Sequence, residues 1–219
     1  MTPITFWFDP ISPYAWLAFD RLPQALAGQS YVVEYRPVLF AGLLGHWGQL
    51  GPAEIAPKRD WTYRQALWLG RQQGTELQLP AAHPFNPLGL LRLLLACGRD
   101  GRPNRYQCET ALRHVWCGGG VADDPERLAV LATQLAPTRD PGSAEVKQQL
   151  RGDTEAAVAR GVFGVPTLEL PPPREGAAPR LFWGADAVDM AAACLKGDPW
   201  FEGPWDDAGR LPEGTLRRR

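Results

Sequence analysis

The position of the strand-like segments constrains the possible folds of this chain most. These segments lie near the two ends of the sequence, and a long block separates them. β-branched and aromatic runs occur at 4–8 and 31–39, and two more follow at 165–170 and 180–183. In the block between, Gly, Pro, Asp and Asn separate segments of helical character. The predicted helices there cover 58–73, 87–97, 105–116, 125–135 and 143–161. The two halves of one small sheet must therefore meet across a helical block.

The first forty residues predict a strand, a helix and a second strand. Ser12 precedes Pro13 and an apolar helical pattern, and a Ser-Pro pair is a typical helix start. Gly28 ends this helix. Two strands joined through a helix form a βαβ unit, which is normally parallel and right-handed. Near the other end of the chain, we expect 165–170 and 180–183 to form a hairpin, followed by an amphipathic helix over 185–196.

This order of elements predicts the fold class and the domain organisation. A βαβ unit, an all-helical block and a ββα unit make an α/β, thioredoxin-like fold interrupted by an all-helical insertion. We predict a discontinuous thioredoxin-like domain over 1–40 and 161–200, and an insertion domain over 41–160 that begins with a loop at 42–57. The C-terminal tail, 201–219, is expected to lie on the surface or fray, with the basic Arg217-Arg218-Arg219 at its end.

Charge and cysteine content exclude several classes of function. The chain has 23 Lys and Arg against 24 Asp and Glu, a net charge of −1, which provides no basic field for nucleic acid or an anionic membrane. No apolar run approaches the ~20 residues of a membrane span, and the N-terminus has no signal-peptide pattern, so a cytoplasmic protein is expected. The cysteines show neither C-x-x-C nor zinc spacing, so we expect reduced thiols and no metal site. They are Cys97, Cys108, Cys117 and Cys194.

Ser12 is the first candidate for chemistry. A helix N-terminus offers unpaired backbone N–H groups and a partial positive charge, which together stabilise an anion such as a thiolate. A serine at this position has a simpler and more common role as the N-cap of its helix. The Ser-Pro-Tyr sequence does not distinguish these roles.

Two turns in the C-terminal part of the chain provide further candidates. Val165-Pro166 opens a strand after a glycine turn, so its peptide bond is a candidate for the cis form, the alternative being an ordinary edge proline. A cis bond would turn the Val165 N–H and C=O toward a peptide-like ligand. Asp186 is predicted in the first turn of the last helix, where it either accepts a ligand's ammonium group or complements the helix dipole.

These segments resemble one known family. FDPISPYAWLA at 8–18 resembles the opening of the 2-hydroxychromene-2-carboxylate isomerase family, which is similar to kappa-class glutathione transferases and DsbA-type oxidoreductases. GVFGVPT at 161–167 resembles the cis-proline motif of that family, and FWGAD at 182–186 its last strand, turn and helix. Lys58 and HPFNPL at 83–88 resemble landmarks of its helical insertion. The resemblance extends from about Thr5 to Lys196.

The resemblance implies a glutathione-binding enzyme with a thioredoxin-like domain. Ser12 would stand where disulfide oxidoreductases place a cysteine, and it would donate a hydrogen bond to the glutathione sulfur. The backbone of Val165 would pair with the cysteinyl part of glutathione, and the 183–186 turn would hold its γ-glutamyl end. The implied glutathione-binding residues are Ser12, Val165, Pro166, Trp183, Gly184, Ala185 and Asp186, and the implied substrate-binding residues are Tyr14, Lys58 and Asn86.

The resemblance also implies a reaction. The thiolate of bound glutathione would add to a conjugated aromatic enone acid, a double bond would become single and rotate, and the thiolate would leave to give the other geometric isomer. A hydrogen bond to a charged group contributes roughly 1.5–3 kcal/mol, so Ser12 and the helix end would lower the pKa of the bound thiol by about one to two units. The implied partners are a small aromatic substrate and a second copy of the chain in a homodimer.

Some positions differ from the family pattern, and several activities stay open. Ala185 and Ala187 replace the usual Asn or Gln and Arg, and Trp61, Gln65 and Trp68 replace frequent Tyr, Asp and Arg. The alternatives are a kappa-like glutathione transferase, a glutathione-binding protein without turnover, and a disulfide oxidoreductase, which would need a thiolate at the position of Ser12. A serine hydrolase would need His46, His83 or His114 as its base.

Overall fold

The computed structural model of this protein describes residues 1–98, 100–210, 212 and 214. The chain begins with the predicted βαβ unit: β1 (Thr2–Phe8), α1 (Pro13–Ala25) and β2 (Tyr31–Pro37). β1 and β2 pair in parallel. The apolar residues of α1 pack beneath the sheet, and Phe19 lies against both Phe6 and Tyr35.

Six helices form the insertion in the part of it that the structure describes, 41–98 and 100–160. They are α2 (Phe40–Trp47), α3 (Ala56–Gln73), α4 (Leu88–Cys97), α5 (Arg105–Trp116), α6 (Pro125–Leu135) and α7 (Ala144–Ala159), with a 3₁₀ turn at Pro52–Glu54. Side-chain caps from Asn104, Asp124 and Ser143 begin α5, α6 and α7. The insertion shares its core with the sheet, since Leu94 and Trp116 belong to the same buried cluster as Phe6.

The second half of the sheet returns after the insertion. β3 (Thr167–Leu170) and β4 (Arg180–Trp183) form the predicted antiparallel hairpin, and α8 (Ala187–Leu195) follows. β3 pairs antiparallel with β1, so the strand order is β2-β1-β3-β4. The α/β, thioredoxin-like fold with a helical insertion is confirmed. Because Trp7 is paired with Thr167, and Thr167 with Trp183, the end of β1, the start of β3 and the end of β4 meet at one edge.

The prediction of a loop at 42–57 is wrong for its first residues, which lie in α2. Glycines at 42 and 45 lower helix propensity, but the buried Leu43 and Leu44 stabilise the helix through tertiary packing. Gly42 serves this packing directly, because a Cβ there would lie 2.9 Å from Cγ2 of Thr154 in α7. Gly48, at φ 62°, ends α2 in the left-handed conformation.

The prediction of a surface tail after residue 200 is also wrong in part. A 3₁₀ turn at Pro199–Glu202 and a short helix, α9 (Pro204–Ala208), pack on the sheet. Phe201 is buried, and its ring and that of Trp205 lie 5.9 and 5.3 Å from the ring of Phe182 in β4. Aromatic burial therefore holds this segment in place. Arg217-Arg218-Arg219 lies outside the described residues. Within the described part of the chain, no helix is long and apolar enough to span a bilayer.

Candidate functional site

Ser12 and Val165 meet at the shared edge of the sheet. Ser12 is the N-cap residue of α1, as predicted, but its hydroxyl makes no capping bond. Its Oγ instead donates to the carbonyl oxygen of Val165, 3.3 Å away, across 153 residues of sequence. Ser12 is largely buried, so this hydroxyl is held at the helix N-terminus, where Tyr14 carries the first N–H group of α1.

The turn before β3 presents its backbone at the same place. The Val165–Pro166 peptide bond is cis. The Val165 N–H has no acceptor among the described residues, and its C=O faces Ser12. Pro166 O accepts the N–H of Gly184 at 2.9 Å, which joins this turn to the one after β4. A peptide-like ligand would therefore find a free N–H group beside Ser12.

Asp186 provides a free carboxylate in the turn between β4 and α8. Gly184 has φ 102°, a conformation that favours glycine, and it directs the chain into α8. Asp186 is the N-cap residue of α8, one position before the first turn where we predicted it, because the helix begins at Ala187. Its side chain makes no capping bond and is exposed. The carboxylate is close enough to Tyr14 to raise the pKa of that phenol, although burial is the larger cause.

Trp183 and Ala185 flank this turn with side chains that serve packing. The indole of Trp183 lies 5.0 Å from the ring of Phe163, and it leaves no room for a Cβ at Gly164. Ala185 is buried in the core. Their contribution to a ligand is thus limited to the Ala185 backbone and the exposed part of the Trp183 ring.

Comparison with known proteins places the chain in a family. A model described as the DSBA-like thioredoxin domain matches residues 3–196. The chain belongs to the DSBA-like thioredoxin domain family. It is 27% identical over 207 residues to a 2-hydroxychromene-2-carboxylate isomerase of Pseudomonas sp. (strain C18), with 90% of this chain and 91% of that protein covered.

Two further relatives agree with this assignment. The chain is 25% identical to the Caenorhabditis elegans protein named glutathione S-transferase kappa 2, with 92% of this chain and 94% of that protein covered. A solved 2-hydroxychromene-2-carboxylate isomerase has the same fold, with a TM-score of 0.74 at 20% identity, and the match covers 93% of this chain and 98% of that one. The DSBA-like relationship indicated by the sequence motifs is therefore confirmed, and 2-hydroxychromene-2-carboxylate isomerases and kappa-class glutathione transferases are among the proteins that the chain is similar to.

The cysteines of this DSBA-like chain do not enter the site. All four are free. Burial raises the pKa of Cys97 and of Cys117 to about 11, and it raises the pKa of the fully buried Cys108 as well. None of these three thiols has the low pKa of a catalytic thiolate. Ser12 occupies the start of α1, and none of the four cysteines lies in the segments 9–14, 161–167 and 183–186 that form the site.

The three substrate-side residues predicted from the sequence lie in different surroundings. Tyr14 donates from its hydroxyl to Gln65 Oε1 of α3 at 2.6 Å, which places the phenol at the helical insertion. Lys58 is exposed in the first turn of α3 and makes no ion pair among the described residues. Asn86 accepts the N–H of Leu88 at 3.1 Å, and this bond supports the start of α4.

Two of the three histidines, His83 and His114, are held by hydrogen bonds to the backbone. His83 Nε2 lies 2.8 Å from the carbonyl oxygen of Ile11, and Nδ1 lies 2.8 Å from the Tyr63 hydroxyl. Burial lowers the pKa of His83 and of His114, whose Nε2 contacts the backbone of Ala122. The described residues include no group of three or more His, Cys, Asp or Glu arranged to hold a metal ion.

Sequence reasoning missed Asp9, which it treated only as a strand breaker. The side chain is fully buried at the end of β1, and it accepts the N–H groups of Ile11 and Phe40. Burial raises the pKa of Asp9 to about 7, against the opposing effect of these two hydrogen bonds. An Asp-Pro pair directly after a buried strand was the available signal, because such a pair is typical of a side chain that bonds the following turn.

Proposed function

We propose that this protein is a glutathione-dependent isomerase that interconverts the cis and trans forms of a small aromatic enone acid. The observation that supports it most is the meeting of Ser12 with the Val165 backbone at the N-terminus of α1. A hydroxyl donor, a free N–H group and a helix N-terminus together suit a peptide that carries a sulfur anion.

The site fits glutathione at both of its ends. The free N–H and the C=O of Val165 suit the cysteinyl backbone, and the free carboxylate of Asp186 suits the γ-glutamyl ammonium group. When bound, glutathione would supply the nucleophilic sulfur for reversible addition to the enone. Ser12 would stabilise the sulfur anion through its hydroxyl, and α1 would stabilise it through its dipole.

The substrate side is supported by the insertion. The Tyr14 hydroxyl lies between α1 and α3 and donates its proton to Gln65, and burial together with Asp186 keeps its pKa above the usual value, so the phenol stays neutral and its oxygen can accept a hydrogen bond from the substrate. Lys58 offers an exposed cation for the carboxylate of the substrate. We assign Asn86 to the substrate side by resemblance alone, since its own hydrogen bonds hold α4.

A kappa-like glutathione transferase is the second candidate function, favoured by the relative named glutathione S-transferase kappa 2. It would use the same glutathione contacts and release a conjugate. The reduced, free cysteines suit the cytoplasm, where we place the activity. We also propose a homodimer, which light scattering of the purified chain would test.

Calorimetry with glutathione tests the premise of the proposal, which is that this protein binds glutathione. Saturable binding is the expected result. The thiol balance then separates the two activities. An isomerase changes the ultraviolet spectrum of an enone substrate while the total thiol concentration stays constant, whereas a transferase consumes one thiol for each turnover. Saturable glutathione binding without change in any enone would leave a binding protein without turnover, and no binding would overturn the proposal.

A further inference from the structure

The turn between β1 and α1 is closed by Asp9, a side chain that the proposed function does not use. Asp9 is 0% exposed. Its Oδ1 accepts the N–H of Ile11 and its Oδ2 accepts the N–H of Phe40, both at 3.0 Å. The backbone oxygen of Asp9 also accepts the N–H of Ser12 at 3.0 Å. One residue thus joins the turn that carries Ser12 to the first residue of α2.

The two backbone bonds require a carboxyl group. Asparagine has one acceptor oxygen and one NH₂ group. In the same place its NH₂ group would face one of the two backbone N–H groups, and two donors cannot form a hydrogen bond. Two other buried carboxylates of the described chain, Asp153 and Glu169, pair with arginines. Asp9 has no cationic partner among the described residues, and an unpaired buried carboxyl is costly. If this position only had to be filled, a smaller or neutral side chain would do so at a lower energetic cost.

We propose that Asp9 is a positioning residue of the glutathione site, which holds the Ser12 turn and the start of α2 in their binding geometry through two backbone hydrogen bonds. This inference rests on the proposed function. Because Asp9 is fully buried, it acts through the position of Ser12 and contacts neither glutathione nor substrate. The ionised carboxylate accepts both N–H groups well, whereas protonation occupies one oxygen and weakens one of the two bonds.

The surroundings of Asp9 leave its charge uncompensated. Three side chains from neighbouring elements bond the backbone beside Asp9. Trp116 Nε1 bonds the carbonyl oxygen of Pro10, His83 Nε2 lies against that of Ile11, and Thr154 Oγ1 accepts the N–H of Leu39, just before α2. Of these three side chains only His83 titrates, and burial lowers its pKa. The nearby charged groups are already paired with one another. Glu34 and Arg36 of β2 and Asp153 of α7 form ion pairs with each other and with Arg102. Burial therefore sets the titration of Asp9 near neutral pH.

The test measures the affinity of the whole protein for S-methylglutathione between pH 6 and 7.5. This probe has no thiol, so ionisation of a ligand sulfur cannot contribute. If binding requires ionised Asp9, the affinity at pH 6 is roughly tenfold weaker than at pH 7.5, because only the ionised fraction is competent. Asp9→Asn should bind weakly and without this pH step. Asp153→Asn, which changes a buried aspartate paired with Arg102, should keep the step.

Amide resonances provide a second readout that needs no variant. The N–H signals of Ile11 and Phe40 in the free protein should titrate together, with the same midpoint as the affinity step. A pH step that survives in Asp9→Asn, a flat wild-type profile, or amide midpoints that differ from the affinity step would overturn the role of Asp9. Absence of S-methylglutathione and glutathione binding at every pH would instead overturn the proposed function itself.

Discussion

At the scale of single residues, the site depends on which hydrogen bonds are made and which are left free. Ser12 is at an N-cap position but does not cap, and Asp186 is at an N-cap position and does not cap either. Helices α5, α6 and α7 of the same chain do have side-chain caps. The missing cap leaves the Asp186 carboxylate free at the start of α8, and it leaves the Ser12 hydroxyl at the start of α1 with the carbonyl oxygen of Val165 as its acceptor, which a ligand could replace.

Ser12→Ala should raise the pKa of the bound glutathione thiol by about one unit, because the sulfur anion loses a charge-assisted hydrogen bond while the dipole of α1 remains. The ultraviolet absorbance of the thiolate as a function of pH measures this change. Ser143→Ala is the matched control, since Ser143 caps α7 through its own hydroxyl and should affect only stability. An unchanged thiol pKa in Ser12→Ala would remove the assigned role.

Asp186→Asn should weaken glutathione binding by about fivefold, since an exposed carboxylate contributes modestly to the attraction of an ammonium group. Asp189→Asn lies in the same helix and changes a carboxylate that pairs with Arg21 at 3.1 Å. Calorimetry on both variants is the measurement. Equal losses of affinity would show that the general charge of α8, and no direct contact of Asp186, is responsible.

Asp9 should also make stability depend on pH. Its pKa rises from 3.8 in a free side chain to about 7 in the folded protein, so the folded state holds the proton more tightly. Its contribution to stability is fully present below pH 3.8 and is lost as the pH rises to about 7. The loss is roughly 1.4 kcal/mol for each pH unit in that window. The free energy of unfolding in urea should be measured for the wild type and for Asp9→Asn at several pH values. The difference between the two should change across this window and be constant above it.

At the scale of elements, α3 connects the insertion with the site. Its face with 61, 65 and 68 follows helical spacing, and Gln65 on this face bonds Tyr14. The two tryptophans beside Gln65 are 62% and 56% exposed, which is high for residues that usually bury their rings. A flat aromatic molecule near Tyr14 would have these rings available for stacking.

Trp61→Ala and Trp68→Ala should each raise the KM for an aromatic substrate by several-fold, with the glutathione affinity unchanged, because an aromatic pair contributes about 0.5–1.5 kcal/mol. Steady-state kinetics and calorimetry separate the two effects. Trp200→Ala is the control, since Trp200 is 42% exposed in the C-terminal 3₁₀ turn. A comparable rise of KM in the control would argue against stacking on α3.

At the scale of the whole molecule, the insertion and the sheet are joined by charge as well as by a shared core. Asp153 of α7 is buried and pairs with Arg102 at 2.8 Å and with Arg36 of β2 at 3.5 Å. Both arginines also bond Glu34. This four-membered network ties β2 to α7 and to the segment before α5, so the discontinuous halves and the insertion should unfold together.

Asp153→Asn should lower the free energy of unfolding by about 2 kcal/mol, because two arginines lose a buried charged partner. Asp207→Asn, in the exposed pair with Arg210, should change it by less than about 0.5 kcal/mol. Urea unfolding monitored by tryptophan fluorescence and by circular dichroism is the measurement. Two separate transitions, or equal effects of the two substitutions, would contradict this coupling.

Local patterns were sufficient to predict the strands, five insertion helices and the three turns of the site, because periodicity, caps and prolines act within a few residues. They failed at α2 and at the segment around Phe201, where burial against distant residues outweighs weak helix propensity or a Gly- and Pro-rich composition. The bond between Ser12 and Val165, the free state of Asp186 and the burial of Asp9 depend on strand register and on contacts between distant segments. Such relations exist only when the chain is folded, so the tertiary structure alone decided how the predicted residues meet.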